Sequence, residues 1–123
     1  MIKGSIVALI TPMNEEGSVD YAGLEKLIQF HLDEQTDGLL VLGTTGESST
    51  LTQSEEEKIL QLTVKKVAGR VPVIAGAGTN NTKETIEKAK HFASLGADAL
   101  LVITPYYNKT SDAGLAAHSA YFI

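Results

Sequence analysis

The feature that most constrains this chain is a rhythm. Short apolar runs begin at Ser5, Gly38, Val71 and Asp98, steps of 33, 33 and 27 residues, and each is followed by a helical pattern. A strand then a helix, repeated, implies parallel strands joined by right-handed crossovers. The runs lack polar alternation, as expected of strands covered on both faces. An eight-unit β/α barrel of about 250 residues allots about 31 residues to a unit. The spacing therefore fits an α/β chain holding four units, half a (β/α)8 barrel, in a single unit over residues 1–123. The segments Asp37-Gly-Leu-Leu-Val-Leu42 and Asp98-Ala-Leu-Leu-Val-Ile103 resemble each other as internal repeats. Half a barrel leaves two strand edges and the inner sheet face open. An open doubly wound sheet is the alternative for four such units.

Local signals place the elements. Residues 5–11 form a first strand, stopped by Pro12, and residues 14–17 form a turn. Asp20 is a good N-cap for a first helix whose Leu24, Leu27, Ile28, His31 and Leu32 share a face. His31 reads as a partly buried structural histidine, because no second metal ligand sits one turn away. Thr52 and Glu55 make a capping box for a second helix, with Ile59, Leu60, Thr63, Val64 and Val67 inward. Gly69 is placed just past its end and Pro72 enforces the stop. Glu55, Glu56 and Glu57 read as first-turn carboxylates favoured by the helix dipole, not as an acid/base or metal site. Asn81 or Thr82 caps a third helix with Ile86, Ala89, Phe92 and Ala93 inward. A fourth helix starts near Ser111, with Leu115 and His118 on one face.

Two strand ends carry candidate chemistry. Gly38 to Leu42 stops abruptly in Gly43-Thr44-Thr45-Gly46-Glu47. The glycines permit a tight turn and close approach of a small ligand. Thr44 and Thr45 add hydroxyl and N–H donors at the carboxyl end of a strand, where α/β proteins bind ligands. The third strand runs into Gly76-Ala-Gly78-Thr-Asn-Asn81, where Asn81 occupies the place of the third glycine of a dinucleotide fingerprint. No phosphate-loop lysine follows at the right spacing. A nucleotide cofactor is therefore rejected, and the turn is read as a pocket rim.

Composition narrows the partners. A net charge of −5 and the lack of any basic run argue against nucleic acid or an anionic membrane. No apolar stretch approaches the roughly 20 residues of a membrane span. The chain has no cysteine, hence no disulfide framework and no thiolate metal site, which fits a cytoplasmic location.

The motifs Gly43-Thr-Thr-Gly-Glu-Ser48, Gly76-Ala-Gly-Thr-Asn-Asn-Thr82, Leu95-Gly-Ala-Asp98 and Thr104-Pro-Tyr-Tyr-Asn108 together resemble the N-terminal half of the dihydrodipicolinate synthase family. These are pyruvate-dependent class I aldolases, a class that also holds N-acetylneuraminate lyase and 2-keto-3-deoxygluconate aldolase. The resemblance spans nearly the whole chain. It implies a (β/α)8 barrel lyase of lysine and diaminopimelate biosynthesis, cytoplasmic and homo-oligomeric, a dimer or a tetramer of dimers, with no metal and no diffusible cofactor. A lysine on the sixth strand forms a Schiff base with pyruvate, and the enamine attacks aspartate semialdehyde. Desolvation suits a buried lysine to that role by lowering its pKa. The resemblance places Thr44 in a hydroxyl proton relay and Thr45 on the pyruvate carboxylate. It makes Tyr107 a relay tyrosine that reaches the partner subunit's site. An effector site for lysine would involve Ser48, Ser49, Asn80, Glu84 and Tyr106, beside Gln53 and Glu56. Lysine feedback is expected to be weak, because Gln53 and Glu56 stand where many sensitive forms carry histidine.

The imine lysine, the second relay tyrosine and the arginine at the pocket mouth are expected beyond residue 123. The lysines present sit mostly on outward helix faces, and Lys109 is the one expected near the pocket side. The chain alone is thus expected to be a truncated and inactive half. The rival expectation is a non-catalytic half-barrel that assembles with itself or with another chain.

Overall fold

The structure, a computed structural model, describes residues 1–122. Four parallel strands stand side by side in chain order: β1 (Ile6–Ala8), β2 (Gly38–Val41), β3 (Val73–Gly76) and β4 (Ala99–Leu101). A doubly wound sheet reverses its strand order partway. This sheet never does, so it winds in one direction as a barrel wall does, and the open-sheet alternative falls away. Helices α1 (Tyr21–Asp33), α2 (Gln53–Val67) and α3 (Thr82–Ser94) follow β1, β2 and β3, and α4 (Asp112–Ser119) follows β4. Right-handed crossovers of one winding direction put the helices on one side of the sheet.

The helix starts are where local chemistry asks for them. The Asp20 side chain accepts from Gly23 N. Thr52 and Glu55 form the reciprocal capping box. Asn81 accepts from Lys83 N and Glu84 N, and Ser111 accepts from Gly114 N. Each satisfies backbone donors that the first helical turn leaves unpaired. The end of α2 is where it was expected, with Gly69 the residue after the Ala68 C-cap. Ala68 takes the left-handed conformation, φ 51°, and Gly69 continues it at φ 74°. On α3 the inward stripe is Thr85, Ala89 and Phe92, while Ala93 is exposed. Those three recur at helical spacing on the sheet side, which turns Ala93 past the contact edge.

The core lies between sheet and helices. Leu24 and Ile28 of α1, Ile59, Leu60 and Val67 of α2, and Phe92 of α3 pack on Leu39, Val41, Val73 and Ala75. The opposite face is open. Ile6, Ile10, Leu101 and Ile103 are each at least 40% exposed. The expectation of strands covered on both faces thus holds for the central strand β2 but fails for β1 and β4, whose inner face meets no other part of the described chain.

The internal repeat is a structural one. Asp37 accepts from Ser5 N at 2.7 Å and returns its own N–H to Ser5 O at 3.0 Å. Asp98 does the same with Val73, at 2.8 Å in each direction. One carboxylate at the foot of β2 and another at the foot of β4 thereby set the height of the preceding strand. Ile6 then pairs with Gly38, and Ile74 with Ala99.

Neighbouring strand ends approach so closely that Gly76 has no room for a side chain. A Cβ on Gly76 would run into the backbone carbonyl of Leu42, which cannot swing aside as a side chain would. Gly43 differs, since a Cβ there meets only the Leu40 side chain at 3.5 Å. Gly76→Ala should therefore cost about 1–3 kcal/mol, as overpacking does, while Gly43→Ala should stay within about 0.5 kcal/mol of wild type. Urea unfolding followed by circular dichroism checks this; equal midpoints for the two variants would overturn the packing account.

Candidate functional site

Three loops at the carboxyl ends of the strands build the site. In the first, Leu42 and Glu47 adopt left-handed backbone, φ 59° and 53°, and bracket residues 43–46. The turn closes through Gly46 N to Gly43 O at 3.1 Å and Glu47 N to Thr44 O at 3.0 Å. The glycines are thus not the residues with unusual backbone, contrary to expectation. Gly46 is needed for another reason. It is buried against Leu9 O and Thr11 Oγ1, and the Thr11 hydroxyl donates to Gly46 O at 2.6 Å. The turn is pinned to the end of β1 and lifts Thr44 and Thr45 into solvent. Neither threonine hydroxyl bonds to another described residue. A single 3₁₀ turn at Ser48–Thr50 then leads to α2.

The second loop, after β3, is tied down by Thr85. Its fully buried hydroxyl contacts Thr79 N at 3.0 Å and donates to Asn81 O at 2.9 Å. Gly78 passes against the Ile103 backbone, leaving no room for a side chain. The third loop, after β4, is held to the second by Asn108 Nδ2 donating to Asn80 O at 3.2 Å. It carries Tyr106 and Tyr107, whose rings meet edge-on with centroids 6.3 Å apart.

Together these loops and the first turns of α2 and α3 enclose a cleft of about 620 Å³. Thr44, Ser48, Ser49, Asn80, Glu84 and Tyr106 all line it, as do Gln53, Glu56 and Lys88. One catalytic candidate and all five effector candidates therefore share one cavity. Thr45 is not part of its wall. Tyr107 is not either: at φ 62° its backbone turns the ring away, 97% exposed, over a separate groove with Thr104, Lys109 and Leu115. The structure does not bring Thr44, Thr45 and Tyr107 around one pocket within this chain.

The electrostatics of the cleft depart from expectation. Of the acidic triplet, Glu55 serves the helix start, and its hydrogen bonds with Thr52 hold its carboxyl below the ordinary range. Glu56 does not point to water. It is 5% exposed, and Lys88 Nζ donates to its Oε1 at 2.6 Å. Burial pushes the Glu56 carboxyl up, Lys88 pulls it back, and Glu84 and Glu57 push it up again. Glu57 lies 3.0 Å from His91 Nε2. Glu55 and Glu56 both stand in the first turn of α2, as the dipole reading has them, but α3 also sets Lys88 against Glu56 and the His91 ring against Glu57. Most of the helix lysines were expected to face outward; Lys88 does not and shares the cleft with Thr44, while Lys109, expected near the pocket side, lies with Tyr107 instead.

Other residues fare as expected or were missed. His31 is half-buried, with Nδ1 3.2 Å from Thr36 Oγ1, a structural role. His118 is buried and meets the Thr82 hydroxyl at 2.8 Å, tying α4 to the start of α3. Thr11 and Thr85 went unread as loop anchors. Their signal, a hydroxyl four residues after a cap or just past a strand, is too common to single them out. Among the described residues no cluster of three His, Cys, Asp or Glu side chains is arranged to hold a metal ion.

Comparison with known proteins agrees with this architecture. The chain is 56% identical over 118 residues to a 4-hydroxy-tetrahydrodipicolinate synthase of Thermoanaerobacter sp. (strain X514), covering 96% of this chain and 39% of that protein. The chain thus spans about two-fifths of the length of the curated relatives it matches. Its fold superimposes on a dihydrodipicolinate synthase of Acinetobacter baumannii complexed with pyruvate. The TM-score is 0.96 at 44% identity, over 100% of this chain and 43% of that one. It also superimposes on the dihydrodipicolinate synthase of Cyanidioschyzon merolae with lysine bound, with a TM-score of 0.91 at 43% identity, covering 97% of this chain and 41% of that one. The four parallel units are half of a (β/α)8 barrel. The family match extends over residues 1–123, and the chain belongs to the dihydrodipicolinate synthetase family.

Proposed function

We propose that residues 1–123 are the N-terminal, carboxylate-recognising half of a 4-hydroxy-tetrahydrodipicolinate synthase. The observation that carries this is the turn after β2. In a chain of this family, two threonine hydroxyls that bond to no other described residue stand at the mouth of a barrel wall. The reaction is the condensation of pyruvate with aspartate semialdehyde. A lysine supplied from outside these residues forms the imine, the derived enamine attacks the aldehyde, and cyclisation by the aspartyl amine frees the lysine. Thr44 passes a proton in the relay, since a hydroxyl both donates and accepts. Thr45 offers neutral donors to the pyruvate carboxylate. Tyr107, swung out on its left-handed backbone, completes the relay in a neighbouring subunit of a cytoplasmic homo-oligomer.

The cleft beside Thr44 is proposed as a site for an amino-acid effector, with Ser48, Ser49, Asn80 and Tyr106 around it and Glu84 facing the amine. Lysine should bind there weakly. Glu56, the most buried carboxylate of the wall, is already neutralised by Lys88. Strong inhibition by sub-millimolar lysine of an active enzyme carrying these residues would refute this.

Thr44→Val in such an enzyme should lower kcat by about 10²–10⁴-fold, the usual share of positioned proton transfer, with a smaller change in the KM for pyruvate. Steady-state rates within twofold of wild type would remove Thr44 from the relay. A Tyr107→Phe subunit mixed with a subunit lacking its imine lysine should regain activity as mixed dimers form, because each supplies what the other lacks. Mixed dimers without activity would show that Tyr107 acts within its own subunit or not at all.

A further inference from the structure

We propose that Thr11 is a positioning residue for the turn after β2, and that its hydroxyl fixes the height at which Thr44 and Thr45 stand. The proposal rests on the reading of those two threonines as reaction residues, and its test separates the two.

Thr11 lies past the end of β1 and is 7% exposed. Its hydroxyl donates to Gly46 O at 2.6 Å, 35 residues away in the chain. A carbonyl oxygen can only accept, so the direction of this bond is fixed and the one hydroxyl proton is committed to it. Register between β1 and β2 does not need the bond. Ile6, Val7 and Ala8 already pair with Gly38, Leu39 and Leu40, and Leu9 N donates to Leu40 O at 2.9 Å. The Thr11 hydroxyl acts beyond that ladder, on the turn.

Both ends of the bond are braced. Pro12 follows Thr11, and a proline ring fixes its own φ and confines the residue before it to extended backbone. Pro12 O accepts from Asp20 N at 2.8 Å, and the Asp20 side chain accepts from Gly23 N at 2.9 Å. Thr11 is thereby tied to the first turn of α1. At the other end Gly46 is buried, and a Cβ on it would come within 3.2 Å of Leu9 O and 3.4 Å of Leu42 N. The turn also closes on itself, Gly46 N to Gly43 O and Glu47 N to Thr44 O. Residues 43–47 therefore move as a unit, and a displacement of Gly46 is a displacement of Thr44 and Thr45 just before it.

In Thr11→Val a methyl takes the place of the hydroxyl, and Gly46 O stays buried without that donor. A buried carbonyl stripped of its partner is costly. The turn relieves the cost by lifting toward water, and both threonines go with it. A misplacement of about 1 Å caused away from the chemistry is enough to cost about 10²-fold. Thr45 faces the pyruvate carboxylate and Thr44 passes the proton, so the KM for pyruvate rises while kcat falls. A lesion that only reduced the folded fraction would lower kcat and leave KM where it was.

The test is made in an active full-length enzyme carrying residues 1–123, by steady-state kinetics and amide hydrogen exchange. Thr11→Val should raise the KM for pyruvate about tenfold and lower kcat about tenfold. Exchange should quicken at Gly46 and Glu47, whose N–H groups close the turn, and stay unchanged in β2. Thr11→Ser keeps the donor and should stay close to wild type in both constants. Thr11→Ala removes the donor but lets water reach Gly46 O; it should show the same rise in KM, and it serves if the valine variant does not fold. Unchanged exchange at Gly46 and Glu47, an unchanged KM, or a serine variant as impaired as the valine one would overturn the proposal. Thr44→Val shows how far the overturning reaches. If Thr44→Val is crippled while Thr11→Val keeps wild-type constants, the positioning role alone falls. If both keep them, the reading of the turn as a reaction site falls with it.

Discussion

The height of one strand against the next is held by a contact made twice. An aspartate at the foot of an even-numbered strand accepts a backbone N–H from the odd-numbered strand before it and returns its own N–H to the same residue. Asp37 does this with Ser5, Asp98 with Val73. Each pair satisfies one donor and one acceptor at a strand start, where the ladder itself has not begun. It also fixes register, and in a sheet a slip of one residue sends every side chain to the other face. Leu39, Val41, Val73 and Ala75 face the helices because these contacts choose the register that puts them there.

From that register the mouth of the wall follows. With β2 and β3 at this height, the Leu42 carbonyl abuts Gly76, and Gly78 abuts the backbone of Ile103. The loops are close-packed against each other at their bases and diverge only at their tips. The Thr11 and Thr85 hydroxyls bond to loop backbone beneath the surface, at Gly46 and at Thr79 and Asn81. Thr44 and Tyr106 thus extend from a braced foundation over one cleft. Side chains carried on rigid elements hold position to a fraction of an ångström more readily than those on free loops.

The cleft has its own internal charge balance. Glu56 is buried from one side by α2 and met from the other by Lys88 of α3. Removing one member of such a pair strands a charge in a dry place, whereas removing both need not destabilise. The pair therefore couples the docking of α2 on α3 to the electrostatics of the cavity that Thr44 lines. Any cation entering that cavity competes with an ammonium already in place.

Much of this was determined by sequence alone, because its causes are local. The caps at Asp20, Thr52, Asn81 and Ser111 act within three residues, and the strand–helix rhythm needs only the chain to be read in order. The family was legible for the same reason: its motifs are contiguous strand-end turns. Tertiary structure decided what depends on distant partners. Leu42 and Glu47, not the glycines between them, take the left-handed backbone, because Gly46 is wedged against Leu9 and Thr11. Glu56 finds Lys88, 32 residues away, only when two helices dock. Adjacent Tyr106 and Tyr107 part company, one to the cleft and one to a separate groove, on the backbone angle of Tyr107. Hydrogen bonds across a few residues leave a signature in spacing; contacts across the fold leave one only in the register and packing that bring them together.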